Sequence, residues 1–100
     1  MKEGHCDMRG FLSFIVLRLI KKKELSGEEL RKELEKRKGC KPSPGTIYPV
    51  LKYLNENKLI QEVNNKGKNK KYKITKNGEK ELEIATRKFV RMFYDLKEEF

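Results

Sequence analysis

Tryptophan is absent from this 100-residue chain, histidine occurs once, and cysteine and aspartate occur twice each. His5 is the only histidine, no nucleophile–base spacing stands out and no glycine-rich phosphate loop is present, so an enzyme is not expected. Cys6 and Cys40 are too few for a disulfide scaffold and lack the C-x-x-C spacing of a zinc site. They read as two reduced thiols. A Cys6–Cys40 bridge, or a weak ligand set of His5, Cys6, Asp7 and Cys40, is the alternative, and neither a metal nor another cofactor is expected. Long hydrophobic runs are missing too. The most apolar stretch, Phe11 to Ile20, is too short to span a bilayer, and no small-residue cleavage site follows it. The expectation is a cytoplasmic protein.

Positive charge is what the chain has in excess. Lys and Arg number 25 against 15 Asp and Glu, a formal net charge of +10. Such a surplus suits a polyanionic partner, either nucleic acid or an acidic membrane surface. With 40% charged residues and a mean hydropathy of −0.86 the composition borders on that of disordered chains. The apolar residues are nevertheless clustered and periodic, which argues for one small folded domain.

Residues 1–8 read as a short arm. Phe11, Leu12, Phe14, Ile15, Val16, Leu17, Leu19 and Ile20 follow, interrupted only by Ser13 and Arg18, so this helix is apolar nearly all round. A domain of this length buries one face of such a helix more easily than both, which points to a second chain covering the other. Ser26-Gly27-Glu28-Glu29 is a capping box opening a second helix, with Leu30 and Leu34 inward and Gly39 as its stop. Ser43-Pro44 opens a third, Ser43 capping and Pro44 in the first turn. Ile47, Val50, Leu51 and Leu54 form its core stripe, and Pro49 sits inside it. Leu59–Val63 and Lys71–Thr75 are strand candidates around the turn Asn64–Asn69, with Tyr72 and Ile74 on one face. From Thr75 or Lys76 the pattern is helical again. Leu82, Ala85, Phe89, Met92 or Phe93, and Leu96 repeat with alternating spacings of three and four, a heptad-like seam with no later element to cover it.

The fold class is therefore mainly α with a small β-hairpin: a winged helix-turn-helix over 9–76 followed by a C-terminal dimerisation helix over 77–100. In that geometry the third helix enters the major groove and the hairpin touches backbone or minor groove. Between Lys58 and Lys76 there are seven lysines against one acid, Glu62, so +6 of the chain's +10 is concentrated in nineteen residues. Phosphate contact is the simplest use of such one-signed charge. The candidate DNA-binding residues are Ser43, Thr46, Tyr48 and Lys52 on the third helix, the backbone N–H of Gly45, and Lys66, Lys68, Lys70, Lys71 and Lys73 on the hairpin. The candidate dimer interface is Phe11, Phe14 and Ile15 with Leu82, Ala85, Phe89, Met92, Phe93 and Leu96. One other reading stays open, a winged-helix module that binds protein or RNA, since fold does not fix function; a membrane partner is not expected, because the basic run lies on a hairpin with few apolar anchors and not on an amphipathic helix.

Gly45-Thr46-Ile47-Tyr48-Pro49 with Leu51, Leu54, Leu59 and Ile60 resembles the PadR family of winged-helix transcriptional regulators. So do Arg9-Gly10 before the apolar helix, Ser26-Gly27, and Lys70-Lys71-Tyr72-Lys73-Ile74-Thr75 on the return strand. The resemblance covers roughly residues 8–80. It implies a homodimer assembled through the first and last helices, binding double-stranded DNA at an inverted-repeat operator, usually as a repressor. It also implies that Tyr48 and its neighbours contact DNA, and that a small aromatic or hydrophobic effector binds near the dimer interface. Lys58 stands where the family often has Gly, so Asn57 is expected to take the left-handed turn; Lys71 stands where an aromatic residue is common. The short stretch after the wing implies the subfamily with a single C-terminal helix and leaves little chain for a large effector pocket.

Overall fold

The computed structural model describes residues 9–39, 41–64 and 70–97. The arm, both thiols, His5, Asp7, Lys66 and Lys68 lie outside the described residues. The element order is α1 (Arg9–Lys22), β1 (Leu25–Ser26), α2 (Gly27–Lys38), α3 (Pro44–Glu56), β2 (Ile60–Asn64), β3 (Lys71–Ile74) and α4 (Lys76–Lys97). The fold class is as the sequence implies, mostly helical with a small antiparallel sheet. No helix among the described residues is long and apolar enough to cross a membrane.

The sheet has one strand more than the hairpin read from the sequence. β1 pairs antiparallel with β3, Leu25 opposite Tyr72, giving the order β1-β3-β2. In the β2–β3 pairing the register shifts between Glu62 and Asn64, a local bulge near the turn. Ser26 ends β1 and caps α2: its hydroxyl accepts from the Glu29 amide at 3.1 Å, and the Glu29 carboxylate accepts from the Ser26 amide at 2.8 Å. Gly39 then closes α2 in the left-handed conformation, φ 78°.

The core takes in one face of the first helix. Leu12, Val16, Leu17, Leu19 and Ile20 are buried and Phe11, Phe14 and Ile15 half-buried within a single chain. While Phe11, Phe14 and Ile15 keep part of their surface open, α4 packs along α1 and covers part of that apolar face from within the same chain. The aromatic contacts carry this: the Phe89 ring lies 4.5 Å from that of Phe14 and 6.0 Å from that of Phe11, tilted and edge-on, geometries that aromatic quadrupoles favour. Leu82, placed in the dimer seam on periodicity, is 4% exposed inside its own chain's core and has no surface left to offer a partner. The seam's later members differ: Met92, Phe93 and Leu96 are 55%, 58% and 48% exposed.

The end of α3 brings a second correction. Lys58, not Asn57, takes the left-handed conformation, with φ 61° against −90° at Asn57. Asparagine tolerates that region better than lysine, but the hydrogen bonds decide. The Leu59 amide bonds the Leu54 carbonyl at 2.9 Å and the Lys58 amide that of Asn55 at 3.1 Å, a Schellman pattern whose left-handed position is residue 58. Thr75 ties this corner to α4. Its hydroxyl donates to the Lys58 carbonyl at 2.6 Å and accepts from the Gly78 amide at 2.9 Å.

Candidate nucleic-acid interface

α3 is held by its burial stripe. Ile47, Val50, Leu51 and Leu54 all face the core, as their spacing implies. The turn before α3 is braced from α2: Arg31 donates from Nε to the Pro42 carbonyl at 2.8 Å and from Nη1 to Glu28 at 2.6 Å. Lys41 also reaches Glu28, at 3.7 Å. Arg31, foremost by its hydrogen bond, holds the Glu28 carboxyl below the usual carboxylate range.

Ser43 occupies the cap position, but its side chain makes no cap bond, which corrects the expected role. Its Oγ lies 3.2 Å from Thr46 Oγ1, and its carbonyl accepts from the Thr46 and Ile47 amides. Gly45, Tyr48, Pro49 and Lys52 are exposed opposite the core stripe. Thr46 is half-buried on one flank of α3 and Tyr48 lies on the other, so the structure does not bring these two sites together. Thr46 lines a groove of about 750 Å³ shared with Pro49 and Tyr53 of α3, Phe14 of α1 and Glu81 and Phe89 of α4.

Tyr48 is 45% exposed and its ring lies against Gly27 at the start of α2; a Cβ on that glycine would stand 2.6 Å from the ring carbons and hydroxyl. Behind it Tyr72 of β3 is buried, and burial pushes its phenol pKa up, with Glu62 and Tyr48 adding to the effect. The first turn of α2 thus joins the Tyr48 flank of α3 to β3.

The wing lysines are less free than their sequence density suggests. Lys71 Nζ lies 3.6 Å from Glu29 Oε2, and Lys70 Nζ 3.7 Å from Glu62. Lys73 and Lys52 are exposed. Glu29 therefore caps α2 with one oxygen and meets the wing with the other. Its carboxyl is held below the ordinary range, first by the Ser26 backbone hydrogen bond and then by Lys71. The capping box was legible from spacing; its link to Lys71 was not, since it depends on β1 aligning β3 with α2. Glu29→Gln keeps the cap, because Gln serves at that position, but frees Lys71. Affinity for random duplex should rise severalfold and the salt slope steepen by about 0.9, one more phosphate neutralised. Fluorescence anisotropy over a salt series reads both, and unchanged slopes would show that Lys71 does not face phosphate.

Comparison with known proteins fits this geometry. The family model described as "Transcriptional regulator PadR-like family" matches residues 16–84. The chain is 34% identical over 82 residues to the transcriptional regulator YqjI of Escherichia coli K12, covering 80% of this chain and 38% of that protein. It thus spans well under half the length of this curated relative. Among solved structures it is similar to a PadR-like transcriptional regulator from Bacillus cereus (29% identity, TM-score 0.81, 90% of this chain and 91% of that one). A Streptococcus transcriptional regulator is similar at 28% identity and TM-score 0.78, covering 90% and 92% of the two chains.

Proposed function

The chain belongs to the PadR-like family of transcriptional regulators, and on that premise we propose that it binds an inverted-repeat operator in duplex DNA as a homodimer. Helix α3 enters the major groove and the wing lies on the backbone or minor groove. The observation that carries this reading is the meeting of Tyr48 and Lys71 of β3 at one place, the first turn of α2. Lys52 and the amide of Gly45 extend the same face toward phosphate. Where the operator overlaps a promoter, occupancy represses transcription.

The homodimer reading rests on the far end of α4. Val90, Met92, Phe93, Tyr94 and Leu96 are all about half exposed or more, a concentration of large apolar side chains on one helix that monomers rarely leave in water. The groove behind α3 is the natural seat for a small hydrophobic effector, since Pro49 and Tyr53 form part of its wall.

Selection of bound duplexes from random DNA tests the whole reading, because an inverted repeat reports both sequence recognition and the two-fold axis. On the selected duplex, Tyr48→Ala should lower affinity about tenfold or more, the size of one lost base contact. On scrambled duplex the loss should be small and the dimer should persist. Equal losses on both duplexes would reduce Tyr48 to a phosphate or packing contact. A flat salt dependence would reject DNA as the partner.

A further inference from the structure

Gly27 is the first residue of α2 and is buried, yet the usual reasons for glycine do not apply to it. Its backbone does not lie in the left-handed region; the only positive φ among described glycines is at Gly39. The three atoms nearest to a Cβ built there are Cε1, Cζ and the hydroxyl of Tyr48, each at 2.6 Å, closer than real Cβ atoms come to any neighbour. They belong to the far end of one side chain and not to backbone, so a methyl group at residue 27 would displace the Tyr48 ring and leave the α2–α3 frame in place. That frame is set separately, by Arg31 on Pro42 and by the buried stripe of α3.

We infer that Gly27 is a positioning residue for Tyr48: its missing side chain is the seat that holds the ring and sets where the phenol hydroxyl stands before DNA. The inference rests on the proposed reading of Tyr48 as a DNA contact. The physical content is selection of one side-chain arrangement. Tyr48 is half exposed and, without a seat, would sample several rotamers, each binding event then losing that freedom. Held against Gly27, the ring is ordered before DNA arrives. Glu29, two residues on, ties the wing to the same turn through Lys71, so the wing and Tyr48 are registered to one short segment of α2.

A double-mutant cycle on the full chain tests this, with Gly27→Ala, Tyr48→Ala and both together titrated against the selected operator and a scrambled duplex. Gly27→Ala should lower operator affinity about tenfold, as much as losing the contact outright. It should leave scrambled-duplex affinity near wild type and have no further effect in the Tyr48→Ala background. The melting temperature should hold or rise, since Ala favours helix over Gly. If it falls, adding Tyr48→Ala must restore it, because the clash is with that ring. Proton NMR reads the seat without DNA: the Gly27 α-protons should carry a ring-current shift that vanishes in Tyr48→Ala. Equal loss from Gly27→Ala with and without Tyr48 overturns the inference, as does wild-type affinity in Gly27→Ala or the absence of the ring-current shift. If Tyr48→Ala alone binds the operator normally while the shift is present, it is the reading of Tyr48 as a contact that fails, and the positioning role falls with it.

Discussion

Phe93→Asp is expected to give a monomer that folds normally and loses the operator. Phe93 is 58% exposed in the single chain, and its ring stands 6.4 Å from Phe89. Replacing it should change the stability of the isolated chain by no more than about 0.5 kcal/mol, as for other exposed positions. In a two-chain seam the same carboxylate would be buried without a partner, a penalty of several kcal/mol that a small interface does not survive. Two linked half-site contacts gain roughly 10²–10⁴ in avidity over one, and that factor should disappear from operator binding. Sedimentation velocity and a thermal melt, run alongside the DNA titration, separate the effects. Phe89→Asp is the poorer probe: Phe89 packs on Phe11 and Phe14 of its own chain, so that variant damages the monomer as well. A Phe93→Asp protein that still sediments as a dimer removes this end of α4 from the interface.

Gly78→Ala is the second large effect, here on stability. A Cβ at residue 78 would lie 2.1 Å from the Leu59 carbonyl oxygen and 2.8 Å from Ile74 Cγ1. The first obstacle is backbone and cannot rotate away. That same carbonyl accepts from the Thr75 amide at 3.0 Å, so moving it also breaks a bond holding α4 to the end of α3. Overpacking of this kind costs about 1–3 kcal/mol, and the disturbed hydrogen bond adds about 1 kcal/mol. Better helix propensity returns at most about 1 kcal/mol. A net loss of about 2 kcal/mol should lower the melting temperature by roughly 10 °C in a domain of this size. Calorimetry or a circular-dichroism melt reads it. A wild-type melting temperature would mean that α4 can move away from Leu59 without cost. The contrast with Gly27 is instructive: there the obstacle is a movable side chain, so the effect is expected on binding and not on folding.

Features with local chemistry were legible in the sequence. The capping box at Ser26 and Glu29, the left-handed stop at Gly39 and the core stripe of α3 each follow from spacing alone, and each has its place in the structure. What depends on long-range alignment was not legible. β1 is two residues long, too short for any periodicity, yet it docks the wing against α2. Which part of α1 its own α4 covers could not be told from the sequence, because an apolar face does not specify its cover. Leu82 and Phe93 share one stripe on α4 but have opposite exposures, since the first lies in the core cluster and the second outside it. At the candidate interface, Tyr48 and the wing lysines stood out by type. Gly27 did not, because a glycine after a serine cap is an ordinary helix start; only the Tyr48 ring above it gives it meaning.

The phenylalanine cluster has a consequence for how rigidly two half-sites would be spaced. Phe89 clamps α4 to the body of its own subunit, and eight residues of continuous helix, Val90 to Lys97, extend about 12 Å past that clamp. In the proposed dimer, the two DNA-reading bodies would thus be joined through stiff helical rods. One base pair inserted at the operator's centre moves the half-sites about 3.4 Å apart and turns one against the other by about 35°. Rods cannot follow that rotation, so the protein would measure the length of its site as well as its letters.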